Sequence, residues 1–197
     1  MEVEIEAKFP EVDVEPLRAR LRELGAYQEY PERLMRRKNF DFPDWRLEKV
    51  GGWVRVRDEG EKVTLSYKQL NDRTLHGTKE ITFAVDDFDK TCDLLDAIGL
   101  HAKAYQETKR EKWLYGDVEV TIDTWPWIPT FVEIEGQNET SVRKTADDLG
   151  LDWRKAMHGS VENMYQMHYD FTESEIDHWD LITFIPEPEW LLARKKK

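Results

Sequence analysis

Residues 2–9 read Glu-Val-Glu-Ile-Glu-Ala-Lys-Phe, an alternation that sets Glu2, Glu4, Glu6 and Lys8 against Val3, Ile5, Ala7 and Phe9. Successive side chains of a strand point to opposite faces, so the segment predicts a strand with one apolar and one fully ionisable side. Same-face neighbours stand roughly 7 Å apart, and three carboxylates in a row repel unless water, a cation or a basic partner intervenes. Taken alone, the segment reads as the solvated outer face of an edge strand, with a divalent-metal or Arg-paired site as the alternative.

Other segments repeat the period of two. Residues 53–57, 62–68, 79–85, 109–115, 118–123 and 131–135 all alternate, and Glu59-Gly60-Glu61 and Tyr115-Gly116-Asp117 supply hairpin turns. Three helical segments lie between them. Leu17, Leu21 and Leu24 precede Gly25 behind a capping Asp13; Phe88, Cys92, Leu95 and Ile98 precede Gly99 behind Asp86 or Asp87. Val142, Ala146 and Leu149 precede Gly150 behind Thr140 or Ser141. Strands, helix, strands, helix predicts an antiparallel α+β domain with two related halves.

The charges sort by strand. Arg55 and Arg57 oppose Val54 and Val56, Ser66 and Lys68 oppose Leu65 and Tyr67, Glu119, Thr121 and Asp123 oppose Val118, Val120 and Ile122, and Glu133 and Glu135 oppose Val132 and Ile134. An ordinary half-buried sheet also alternates, but like-charge pairs two residues apart repel themselves. A metal–phosphate complex would relieve all of them, because carboxylates suit Mg²⁺ or Mn²⁺ and Arg forks match phosphate oxygens. A barrel with a charged interior, its apolar outside covered by the amphipathic helices, accommodates the pattern.

Composition narrows the setting. With 197 residues, 40% hydrophobic and eight Trp, the chain can bury one substantial core, read as a domain over residues 1–170 followed by an extension, 171–197, that ends in the basic run from Arg194. A net charge of −12 argues against a long nucleic acid as partner. Neither a leader nor an apolar run of roughly 20 residues is evident, so a cytoplasmic protein with no membrane partner is expected. The lone Cys92 reads as a packed thiol, and the scattered histidines argue against zinc.

Glu4-Ile5-Glu6-Ala7-Lys8 resembles the ExExK signature of the CYTH superfamily, the triphosphate tunnel metalloenzymes. In order, Trp53 to Arg57 resembles the family's RxR strand, Thr64 to Lys68 its Lys strand, Gln106 to Trp113 the strand with an Arg three before an aromatic, and Ile122-Asp123 with Phe131 to Glu135 the late aspartate and EIE strand. Two departures stand out: Thr78-Lys79-Glu80-Ile81-Thr82 keeps a single acid of an RxExE pattern, and Arg37 and Asn39 stand where members often carry an acid and a tyrosine before Phe40-Asp41.

The resemblance implies an eight-stranded antiparallel tunnel that takes a small-molecule triphosphate with Mg²⁺ or Mn²⁺. It implies Glu4, Glu6, Asp123, Glu133 and Glu135 as metal ligands, and Arg55, Arg57, Lys68 and Arg110 as phosphate ligands. Lys8 would hold phosphate or assist proton transfer, with Lys8 and Glu6 as the catalytic pair. A metal-dependent triphosphatase is the expected activity. Cyclisation of ATP is the alternative, for which Trp125 and Trp127 could stack on a base, although packing at the rim is the simpler role for them. A non-catalytic polyphosphate or nucleotide binder is a third reading, and a homodimer is compatible with each.

Overall fold

The computed structural model describes residues 1–72 and 74–196, with Glu2 and Glu4 described by their backbone only. The strands are β1 (Glu2–Phe9), β2 (Tyr27–Asp41), β3 (Gly52–Asp58), β4 (Val63–Leu70), β5 (Thr78–Val85), β6 (His101–Tyr115), β7 (Val118–Thr124), β8 (Phe131–Gly136) and the two-residue β9 (Leu181–Ile182). Eight of them pair antiparallel in the order β2-β3-β4-β5-β1-β8-β7-β6, and β6 pairs back onto β2 from Tyr27↔Leu114 to Asp41↔His101. That last ladder closes the sheet on itself, while β1 and β5 meet over three residue pairs only, Glu2↔Glu80 to Glu4↔Thr78. β9 joins β6 in parallel at Tyr105 and Gln106, beyond the stretch that β7 covers.

Helices α1 (Val14–Glu23), α2 (Phe88–Ala97) and α3 (Glu139–Asp148) cover the outside. Leu17 and Leu21 of α1 and Val142 and Ala146 of α3 pack with Ala7, Trp113, Val120, Val132 and Ile134, the outward residues of β1, β6, β7 and β8. On the opposite flank Phe88, Cys92 and Leu95 of α2 pack on Phe40 and Val56. On these flanks the apolar faces point outward under helices, whereas Ile81 and Phe83 of β5 stay exposed, and the ionisable faces are left to line the interior.

The helix stops fall at Gly25, Gly99 and Gly150, each at a positive φ (74°, 96° and 73°) that a Cβ would strain. One expected cap is corrected. Asn138, not Thr140 or Ser141, caps α3, its Oδ1 accepting the Ser141 N–H at 2.9 Å. Asp87 caps α2, accepting from Lys90 N–H at 2.8 Å, whereas Asp13 stands at the N-cap of α1 without a side-chain hydrogen bond.

Residues after α3 form a second apolar cluster. Tyr165 and Tyr169, in and just after α4 (Glu162–His168), Ile176 of α5 (Glu173–Asp177), Ile182 and Leu191 of α6 (Glu189–Leu192) pack with Trp125, Ile128 and Phe131. The basic end is tied in: the Arg194 guanidinium lies over Phe171 and Lys195 pairs with Glu187. Lys197 lies outside the described residues, and no described helix is long and apolar enough to cross a membrane.

Candidate active site

Closure of the barrel places residues from each of β1 to β8 around a cavity of about 680 Å³. Register then decides which charges meet. Glu6 lies opposite Glu135, and Lys8 opposite Glu133, across the β1–β8 ladder. Glu6, Glu133 and Glu135 each bring a carboxylate oxygen within 4.8 Å of the others. Such a set of hard oxygen donors fits a magnesium- or manganese-type cation. Lys8 Nζ donates to Glu6 Oε1 at 2.5 Å and lies 3.2 Å from Glu133 Oε2. Its burial works against the charge, but Glu133 and Glu6 hold the ammonium above its ordinary range. Burial would likewise raise the Glu133 carboxyl, yet Lys8, Arg110 and Lys68 pull it well below the usual carboxylate range. Lys8 and Glu133 therefore hold each other in their charged forms.

Arg110 forks onto Asp123, Nε to Oδ1 at 2.6 Å and Nη2 to Oδ2 at 2.9 Å, and Nη2 also reaches Glu133 Oε1 at 3.4 Å. Thr121 Oγ1 donates to Asp123 Oδ2 at 2.7 Å. Both Asp123 oxygens are thus engaged, and the fully buried Asp123 lies outside the group of three carboxylates. Its place is behind Arg110, fixing that guanidinium. The side chain of Glu4, the remaining expected ligand, lies outside the described residues.

The β2–β3–β4 wall is basic. Arg55 is buried opposite Ser66 and Asn39, and Arg57 sits opposite Arg37 and Thr64. Glu59, just beyond β3, accepts from Arg57 Nε at 2.9 Å and Nη2 at 2.5 Å. Lys68 pairs with Glu80 at 3.1 Å directly across β4–β5. Arg37 also faces inward, donating through Nη2 to Thr108 Oγ1 at 2.8 Å with its guanidinium 4.7 Å from the Trp125 ring centre.

Residues from α4 and α5 complete the cavity: Glu162, Glu173 and Asp177 line it beside Lys103. Burial, then Glu162, pushes the Asp177 carboxyl up to about 7, with Lys103 opposing and Glu173 adding. Trp125 borders the cavity, but its ring is covered by Arg37 and meets Tyr165 edge-on. Trp127 turns away, donating to the Ile185 carbonyl at 2.9 Å and packing on Trp179 and Trp190.

Sequence reasoning thus named Glu6, Lys8, Arg55, Arg57, Lys68, Arg110, Glu133 and Glu135, all of which line one cavity. It noted Arg37 and Asn39 only as departures and missed Glu59, Lys103, Glu162 and Asp177. Glu59 carried a signal, a carboxylate two residues from Arg57 on the approach to a turn. The others come from segments with no alternation to read.

A family model described as CYTH domain matches residues 2–169. No curated protein matches the chain. Among solved structures, an adenylate cyclase candidate from Vibrio parahaemolyticus superposes with a TM-score of 0.71 at 14% identity, over 84% of this chain and 98% of that one. The PH1012 protein of Pyrococcus horikoshii OT3 gives 0.68 at 20% identity, over 82% and 98%. HpAC1 from Hippeastrum, an adenylyl cyclase candidate with a dominant triphosphatase activity, gives 0.56 at 14% identity, over 90% and 95%. These likenesses establish a shared fold.

Proposed function

The chain belongs to the CYTH domain family, and we propose that it is a divalent-metal-dependent hydrolase of a triphosphate. The observation that carries this reading is the juxtaposition, in one closed tunnel, of three clustered carboxylates with a wall of arginines. Arg55, Arg57, Lys68 and Arg110 are positioned to hold phosphoryl oxygens, the guanidiniums by forked hydrogen bonds. Lys8, kept charged by Glu133 and Glu6, serves as a hydrogen-bond donor to a phosphoryl oxygen and not as a base near neutral pH. A cation held by Glu6, Glu133 and Glu135 would offset charge on the transferring group. With no covalent chemistry asked of the protein, acceleration rests on positioning and fixed charge.

Cyclisation of ATP loses its local support here, because Trp125 is capped by Arg37 and Trp127 is packed among aromatic rings. The test is a screen of tripolyphosphate, ATP and thiamine triphosphate with Mg²⁺ or Mn²⁺, reading phosphate and cyclic AMP in parallel. Phosphate release abolished by EDTA and by Glu6→Ala is the expected result. Cyclic AMP as the main product would replace the reading with cyclisation, and absence of both products would leave a binder.

A further inference from the structure

Lining the same tunnel is a buried cation that the proposed chemistry has not used. Arg37 is only 7% exposed. Its recorded contacts are the Thr108 hydroxyl and the face of Trp125, and its Nε is buried with no hydrogen-bond partner. Among the described residues no carboxylate hydrogen-bonds or ion-pairs with it. Its neighbours sharpen the contrast: Arg57 is clasped by Glu59 and Arg110 by Asp123, both carboxylates being almost fully buried. Burial, then Arg55, Arg57 and Arg110, pushes the Arg37 guanidinium well below its ordinary value, with Asp123 opposing weakly.

A buried guanidinium without a counter-charge, among others of its own sign, costs stability in the free protein. An anion from outside would supply the missing counter-charge and the acceptor for the guanidinium fork. We infer that Arg37 is a substrate-binding residue: with Arg57 opposite it on β3, it forms an additional subsite for a phosphoryl group of the polyanion. The inference rests on the triphosphate reading above, yet binding separates the two.

The experiment measures tripolyphosphate binding by equilibrium titration in EDTA, which prevents turnover, together with the melting temperature of ligand-free protein. Arg37→Gln should weaken tripolyphosphate at least tenfold while leaving the ligand-free melting temperature unchanged or raised, since a like-charge contact has been relieved. Arg37→Lys should fall between Gln and wild type, because the charge remains but the fork is lost. Lys38→Gln removes the same charge from the outer face of β2, near Phe88, and should bind as wild type does. The inference is overturned if Arg37→Gln binds within twofold of wild type, if Lys38→Gln weakens binding equally, or if wild type does not bind. A purely structural Arg37 would instead show a lowered melting temperature with affinity retained. Should Arg37→Gln not fold, Arg37→Lys decides: threefold or weaker binding supports the subsite, and unchanged binding removes it. Tight binding that depends on Arg37 without any phosphate release would keep this inference and discard the hydrolase.

Discussion

Lys8 and Arg37 are both cations buried in the same tunnel, 5% and 7% exposed, yet their surroundings drive them in opposite directions. Lys8 lies between Glu6 and Glu133 and is held above its ordinary range; Arg37 lies among arginines and is pushed below it. Desolvation penalises both, so the difference comes from the neighbours. On the β1–β8 wall three carboxylates surround the one ammonium of Lys8 and leave an acidic surplus, whereas the Arg37 region of the β2–β3 wall carries a positive surplus. A polyanion would meet a preformed cation site on one side and an unmet charge on the other.

Breaking the β1–β8 wall should have the largest effect. Glu133→Gln removes the carboxylate that joins Lys8 to Arg110. It should lower turnover about 100-fold or more, equivalent to roughly 3 kcal/mol in the barrier, and cost about 1–3 kcal/mol of stability, since Lys8 and Arg110 each lose one charged partner but keep Glu6 and Asp123. Because the folded Glu133 carboxyl is depressed from 4.5, its stabilisation is complete above that value and is lost as pH falls through the lower folded value. Urea titrations of wild type and variant should therefore converge in acid. A variant retaining more than a tenth of wild-type turnover would remove the cation-holding role from this wall.

Arg57 allows a finer comparison within the basic wall, because it has the partner that Arg37 lacks. Arg57→Gln leaves Glu59, 3% exposed, without its forked donor. A loss of about 1–3 kcal/mol is expected, the penalty of a buried acceptor left with only the longer contacts of Lys62 at 3.6 Å and the Thr64 hydroxyl at 3.4 Å. Chemical denaturation of Arg57→Gln and Arg37→Gln side by side gives the contrast directly. Equal destabilisation of the two would mean that the absent carboxylate at Arg37 has no energetic consequence.

How much of this was legible depended on whether a strand kept strict alternation. β1, β3, β4, β7 and β8 carry apolar residues on one face and charges on the other, so their inward sets, including Glu6, Arg55 and Glu133, could be read directly. β2 could not be read that way. Register shifts between Gln28 and Tyr30 and between Tyr30 and Arg33 break its period, and Arg36 and Lys38 put charges on its outer face as well. Arg37 therefore looked like one more charge in a basic run. Residues 171–196 were illegible for a different reason: their short elements are held by Trp127, Trp179 and Trp190 packing on one another, contacts with no periodic signature. Asp123 shows a limit of another kind. Its position on the inner face was legible, but its engagement by Arg110 and Thr121 depends on register across β6–β7.

The smallest expected effect concerns the acidic counterpart of Arg37. Asp177, on the C-terminal rim, has Glu162 and Glu173 as near neighbours and Lys103 as the opposing cation, and its carboxyl is pushed up to about 7. A carboxyl raised in the folded state binds its proton more tightly there than in the unfolded chain, so its effect on stability runs opposite to that of Glu133. Stability is greatest below the ordinary value of 3.8 and declines as pH rises toward about 7, beyond which this contribution no longer changes. Asp177→Asn removes the titration and should flatten the melting-temperature profile between about pH 4 and 7. Because Glu162 shares the proton-dependent repulsion, Glu162→Gln should flatten the same window by lowering the Asp177 value. A wild-type profile that rises through that window, or one unchanged by either substitution, would show that the rim holds Asp177 ionised and that the surplus of like charge is confined to the arginine wall.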